Sequence, residues 1–271
     1  MDDSERQRLI QCPDALAAHI SDVLVEGSRR VREQGGEDGE AWVSSAVLFL
    51  LRDPPRCARE EGPSLVLNKR SERVPQPGDL CCPGGGRDPW DPWLAKLAAL
   101  PGMPLHRWPP WRSLDRAQRR EISILTATAM REGFEEMRLL PKGVTFLGLL
   151  PPQRLYMLHR AIHPVVARLS RPQVFKPNWE VEAIVSIPLR HLLDPARYAR
   201  YRVRFEGNPE ANERLKQDFM CFRHGERVLW GATYRITTRF LEAVFDFSPP
   251  TENLPIVKGS LSETYLTGQR R

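Results

Sequence analysis

Between Pro89 and Arg112 the chain carries six prolines and four tryptophans, and from Leu114 to Leu140 it carries no proline and a single glycine. No single helix can run through the first segment, because each interior proline removes a hydrogen bond and clashes with the preceding turn. The second segment suits one long helix. Ile122, Leu125, Ala129 and Met137 recur at helical spacing, Ser113 is a suitable N-cap, and the helix is expected to stop before Pro141. Trp93 to Leu100 is expected to form a short helix inside the proline-rich segment. Irregular stretches of this length are uncommon in compact domains and often serve as lids or binding loops. A tryptophan-pinned surface insertion is the equal alternative.

Around these segments, strands and helices intermix. Residues 6 to 33 read as a helix and 34 to 39 as a loop. Ala41–Leu51, Ser64–Lys69, Asp79–Cys82, Val144–Leu150, Leu155–His163 and Val181–Ile187 read as strands. His191 to Tyr201 suggests a short helix and turn. Asp218–Arg223 and Arg227–Leu229 suggest a hairpin, and Trp230–Val244 a closing helix. The lack of a regular βα alternation predicts an α+β fold with a mixed sheet. The expected organisation is an N-terminal helical extension (1–40), a main domain (41–245) with an insertion at about 92–125, and a polar tail (246–271), extended or disordered.

Composition narrows the function classes. With 271 residues the chain can bury a full core. No apolar run approaches the roughly 18 residues that mark a membrane-spanning helix. The first thirty residues lack the apolar core of a signal peptide, and Gly268-Gln269-Arg270-Arg271 is neither a peroxisomal tripeptide nor a retention signal. The expected location is cytoplasmic, with no membrane partner. The charge of +6 is spread along the chain rather than gathered in a stripe, so no nucleic-acid partner is expected. Five cysteines without a CxxC spacing argue against a disulfide framework or a zinc knuckle.

The segment Arg131-Glu132-Gly133-Phe134-Glu135-Glu136 carries the chemistry. On a helix, Glu132, Glu135 and Glu136 fall at i, i+3 and i+4 and share one face. Clustered carboxylates are hard oxygen donors of the kind magnesium and manganese prefer, although most acidic faces are merely solvated.

The segment resembles the second half of the Nudix box, G-x5-E-x7-R-E-U-x-E-E-x-G-U, with U a bulky aliphatic residue. Arg131, Glu132, Glu135, Glu136 and Leu139 fall on their expected positions. Gly133 replaces an aliphatic residue and Arg138 a glycine. Counting back from Arg131, the first glutamate falls on Ser123, with Glu121 two residues away, and about thirty residues are inserted within the box. Upstream, Arg70, Ser71, Gly78 and Pro83-Gly84-Gly85 resemble the signature of coenzyme A pyrophosphatases. That signature's second arginine and histidine are replaced by Pro75-Gln76-Pro77. Asp88 and Asp91 also look like that branch. Downstream, Ile162-His163-Pro164-Val165-Val166, Asn178-Trp179-Glu180-Val181-Glu182, Ile187-Pro188-Leu189 and Trp230-Gly231-Ala232-Thr233 are similar to further family motifs in the same order.

The resemblance implies a Nudix-type α/β/α sandwich with Mg2+ or Mn2+ held by Glu132, Glu135 and Glu136. It assigns catalysis to Glu135, Glu136 and Arg131, and substrate contact to Arg70, Gly84 and Gly85. The implied partner is a small nucleoside diphosphate-linked substrate, coenzyme A or an acyl derivative, with a homodimer left open. Other nucleoside diphosphate derivatives, or a non-catalytic nucleotide-binding module, remain the alternatives. Glu180 is a candidate base or a strand-edge ion-pair partner, and His163 reads as structural.

Overall fold

The computed structural model describes residues 1–30, 42–55, 61–156, 159–206, 218–262 and 265. The expected loop at 34–39 lies outside them. The N-terminal segment forms two helices rather than one, α1 (Asp3–Gln11) and α2 (Pro13–Arg29). Pro13 is the reason. It cannot donate to the preceding turn, but it suits the first position of a new helix.

Among the described residues the main sheet has eight strands: β1 (Val43–Arg52), β2 (Ser64–Arg70), β3 (Leu80–Cys81), β4 (Gly84–Gly86), β5 (Val144–Leu149), β6 (Gln153–Leu155), β7 (Arg160–Leu169) and β8 (Val181–Pro188). Its central order is β3-β2-β1-β7-β5, with β4 on β1, β6 on β7 and β8 on β2. β1 and β7 run parallel and the other pairs antiparallel, so the sheet is mixed. Pro164 lies inside β7, where the antiparallel partner changes from β6 (Gln153 opposite Ile162) to β5 (Leu149 opposite Val165). A residue without an N–H fits a break in the ladder.

Alternation along β1 divides the core. Ala46, Leu48 and Leu50 pack with Ile122, Leu125 and Ala129 of α4 (Arg116–Met137). Phe49 and Leu51 face the other way, onto Leu16, Ile20 and Leu24 of α2 and Phe240 and Leu241 of α6 (Gly231–Phe245). Both faces are therefore covered, which makes the strand read as a continuous apolar run. The architecture is an α/β/α sandwich of mixed α+β class.

A second sheet of four strands, in the order β11-β10-β9-β12, flanks the first. It contains β9 (Tyr198–Phe205), β10 (Phe219–His224), β11 (Arg227–Leu229) and β12 (Ile256–Leu261). The expected hairpin is β10–β11. The helix expected at His191–Tyr201 is shorter, α5 (Leu189–Leu192), and Tyr198 already belongs to β9. Within the polar tail, Ile256–Leu261 pairs parallel with β9.

The proline-rich segment folds as α3 (Asp91–Ala98) and two 3-10 turns, Pro104–Arg107 and Pro109–Ser113. Leu105 and Trp108 are buried in the α4 layer. The Trp108 indole N–H donates to Ser21 Oγ at 2.9 Å, and its ring meets Phe146 edge-on at 4.7 Å. Trp90 and Trp93 stay exposed. The N-cap of α4 is Asp115 rather than Ser113. Asp115 accepts from Gln118 N at 2.8 Å, and its own N–H donates to Gln118 Oε1 at 2.9 Å. Such a reciprocal pair satisfies two otherwise unpaired donors. The helix closes at Arg138, whose φ of 60° is left-handed. This is the position where the box has glycine, the residue that adopts that conformation without strain.

Candidate active site

The site forms where the glycine turn after β3 meets the C-terminal half of α4. Glu136 points inward and is 8% exposed. Its Oε2 accepts from the Asn68 side-chain amide at 2.9 Å and from Gly84 N at 3.2 Å. Burial pushes this carboxyl up to about 8, with the Glu132 charge adding to the effect and the Gly84 N–H opposing it. Glu132 is also raised by burial, and the neighbouring Arg131 works against that shift. Glu180 sits close enough to raise both carboxyls. Glu135, the most exposed of the three helix glutamates, lies against Arg131 Nη1 at 3.1 Å.

The glycines are there for space. A Cβ on Gly85 would stand 2.5 Å from Glu132 Oε1, and one on Gly84 would stand 2.5 Å from the Ala46 carbonyl. Gly84 also has φ +153°, which side-chain-bearing residues rarely adopt. Gly133, where the box has an aliphatic residue, lies on the face of α4 toward β1. A Cβ there would meet Leu139 Cδ2 at 3.3 Å and Leu48 Cδ2 at 3.6 Å. Leu48 and Leu139 already fill that volume.

Arg131 organises the cluster. Its Nε donates to Asp91 Oδ1 at 2.9 Å, Nη1 to Glu132 Oε1 at 2.9 Å, and Nη2 to the Gly86 carbonyl at 2.9 Å. Asp91 is fully buried and also accepts from Thr128 Oγ1 at 2.7 Å and from Asp88 N at 2.8 Å. Burial alone would raise this carboxyl. The bond from Arg131, with those from Asp88 and Thr128, holds it below the usual range. Counting back from Arg131 puts the box's first acid on Ser123, but the carboxylate that Arg131 grips is Asp91. Counting forward from Gly85 places Asp91 at the box's G-x5-E position. The extra residues therefore lie between Asp91 and Arg131. Glu121, the near neighbour of Ser123, is instead paired with Arg87.

Arg70 donates from Nε to the Pro75 carbonyl at 2.7 Å, and its charge acts on Glu136. Glu180 is held by Asn178, whose side-chain oxygen accepts the Glu180 N–H at 2.8 Å. His163 is buried, and burial together with the Arg87 charge pushes it down to about 4. Its imidazole is therefore neutral near pH 7. Burial lifts the Cys81 thiol to about 12, so it is not a thiolate. Sequence reasoning missed Asn68. The available signal was a lone amide in an apolar strand, Leu65-Val66-Leu67-Asn68.

Among the described residues, no group of three or more His, Cys, Asp and Glu side chains converges to hold a metal ion. The donor chemistry nevertheless fits a hard divalent cation. The charges of Glu132 and Glu180 raise the Glu136 carboxyl, and Glu180 also raises Glu132, a repulsion that a bound cation relieves. In the present geometry Arg131 supplies that positive charge to Glu132 and Glu135.

No protein-family model matches the chain. It is 26% identical over 198 residues to a mouse protein named peroxisomal coenzyme A diphosphatase NUDT7, covering 72% of this chain and 70% of that one. Among solved structures, it is similar to a Nudix hydrolase from Alicyclobacillus acidocaldarius (TM-score 0.40, 17% identity, 56% of this chain and 82% of that one). It is also similar to the Nudix hydrolase RenU from M. smegmatis (TM-score 0.37, 16% identity, 57% and 83%). The α/β/α sandwich, the glycine turn and the helix-borne Arg-Glu-x-x-Glu-Glu are the features expected from the Nudix resemblance. With the mouse relative beside them, the chain is similar to the Nudix hydrolases in fold and in the residues of this site.

Proposed function

We propose that this chain is a metal-dependent diphosphatase that cleaves the diphosphate linkage of coenzyme A or acyl-coenzyme A, giving 3′,5′-ADP and (acyl-)phosphopantetheine. One observation carries the reading: Arg131 gathers Asp91, Glu132 and Glu135 beside the glycine turn that contacts Glu136. The name of the mouse relative supports the choice of substrate. A bound divalent cation would neutralise charge on the diphosphate and lower the pKa of a water molecule. Glu132, Glu135 and Glu136 are the residues that would hold Mg2+ or Mn2+.

The chain's own residues divide the remaining work. Arg131 fixes the glutamate face by tying α4 to Asp91 and to the Gly86 carbonyl. Asn68 and Gly84 both donate to Glu136 Oε2, which fixes that carboxylate's orientation. Gly85 leaves room for the Glu132 carboxylate and Gly84 for the β1 backbone, and both lie in the turn suited to contact the diphosphate. Arg70 is suited to clamp a phosphate, since a guanidinium matches phosphate oxygens two at a time.

The test is hydrolysis of a panel of coenzyme A, acyl-coenzyme A, NADH, ADP-ribose and dinucleoside polyphosphates with Mg2+ or Mn2+, products being read by mass. Release of 3′,5′-ADP from coenzyme A, faster than cleavage of the others, is the expected result. Preference for another member would move the substrate assignment within the superfamily. No turnover by folded, metal-supplied protein would favour a nucleotide-binding module.

A further inference from the structure

A concavity of about 750 Å3 lies away from the helix-borne glutamates. Lys69 and Asp79 line it from the main sheet, and Arg197, His224, Arg227 and Trp230 line it from the second sheet and its flanks. Its volume is within the roughly 300–1,000 Å3 typical of small-molecule sites. Asn68 and Lys69 are consecutive on β2, so their side chains leave opposite faces of the strand. Asn68 reaches Glu136, whereas Lys69 lines this second space. The two sites therefore share a strand and stand on opposite faces of it.

Lys69, Arg197 and Arg227 face Asp79 and Glu226 in the lining, and Lys69 is already paired with Glu182 at 2.7 Å. Burial lowers the His224 pKa, and the charges of Arg227 and then Arg197 lower it further, so both guanidiniums act on this imidazole. His224 Nδ1 is buried without a hydrogen-bond partner among the described residues. Asp79 is engaged by neighbouring donors. Its carboxyl accepts from Trp230 Nε1 at 3.0 Å and Tyr265 Oη at 2.6 Å, and burial raises its pKa. The other acid of the wall, Glu226, is exposed. Arg197 commits Nε to Asp194 at 3.1 Å, and Arg227 stands exposed at the rim. An anion within reach of both arginines would offset the charge they impose on His224 and accept charge-assisted bonds from them. Trp230 adds a planar apolar surface beside them.

We propose that this concavity binds a phosphate monoester carried on a planar ring, as in a nucleoside phosphate, with the phosphate between Arg197 and Arg227 and the ring beside Trp230. The monoester could belong to the substrate or to a separate nucleotide. Only the first source rests on the hydrolase reading above.

The direct test is calorimetric binding of 3′,5′-ADP to the full chain in EDTA, comparing wild type with Arg227→Ala and Arg227→Lys. Arg227 is exposed, so neither change threatens the fold, and thermal melting checks this. Saturable wild-type binding, weakened at least about tenfold in Arg227→Ala and less in Arg227→Lys, is expected. Absent binding, or equal binding by wild type and Arg227→Ala, would overturn the proposal. KM values separate the two sources. A rise in KM for coenzyme A but not for its 3′-dephospho form would assign the monoester to the substrate. Lost binding with both KM values unchanged would assign it to a separate nucleotide. Arginine-dependent binding by a protein that hydrolyses nothing would sink the hydrolase reading and leave this pocket standing.

Discussion

Arg131 and Asp91 are 40 positions apart in the sequence, yet Nε and Oδ1 lie 2.9 Å apart. The pair closes the proline-rich segment onto α4 and holds the glutamate face against the glycine turn. Removing Asp91 would leave Arg131 with Glu132, Glu135 and the Gly86 carbonyl, but would take the acceptor from Asp88 N and from Thr128 Oγ1. We expect Asp91→Ala to cost about 1–3 kcal/mol of stability, the usual scale for leaving buried donors unsatisfied. Hydrolysis should fall with it. Urea denaturation checks the stability, and a midpoint equal to wild type would refute the anchoring role.

Glu136→Gln should separate folding from turnover. The amide oxygen can still accept from Asn68 and Gly84, and the neutral side chain removes the cost of a buried charge. Melting should be unchanged or slightly raised, with hydrolysis lower by about a hundredfold or more, the scale for losing one charge-stabilising group. Glu135→Gln should likewise lose most turnover and stay folded. Full activity in either variant would remove that glutamate from the proposed metal set.

Arg138 ends α4 in a left-handed conformation, with its guanidinium 5.0 Å from the Phe134 ring centroid. Replacement by glycine relieves about 1 kcal/mol of backbone strain. It gives up a cation–π contact worth roughly half of that. Arg138→Gly should therefore be slightly more stable, with activity preserved. A lower denaturation midpoint would show that the ring contact dominates.

Trp108 joins the proline-rich segment to the core through Phe146 and Ser21. We expect Trp108→Ala to cost about 3–5 kcal/mol. Deleting residues 92 to 112 should alter substrate range or affinity if the exposed part, with Trp93, acts as a lid. Unchanged kinetics in a folded deletion variant would leave the segment a packing role alone.

His163 predicts an acid limb. Its folded pKa, about 4, lies below the ordinary value of 6.5. Between these values the unfolded chain binds a proton that the folded chain refuses, so stability falls as pH drops from 6.5 toward 4. His163→Asn should flatten that part of the stability–pH curve. An unaltered slope would show that other groups set the acid limb.

Much of the fold was legible because local rules act on neighbours in sequence. The long helix, the hairpin and the closing helix followed from spacing and proline placement. Pro13 also carried the signal for splitting the N-terminal helix, through its missing N–H. Glu132, Glu135 and Glu136 could be placed on one face because helical geometry fixes i, i+3 and i+4 without knowledge of the rest of the chain. The C-terminal edge strand was not legible: Ile256–Leu261 pairs with Tyr198–Phe205, and no local pattern names so distant a partner.

The sequence by itself determined the carboxylate face, the glycine turn and the apolar run of β1. Tertiary structure decided which carboxylate Arg131 grips, because the proline-rich segment makes counting along the chain unreliable while a folded backbone returns Asp91 to the helix. It also decided that Asn68 meets Glu136 and that Lys69 faces a different concavity. Those outcomes depend on which strands become neighbours, and strand pairing is set by burial summed over the whole sheet.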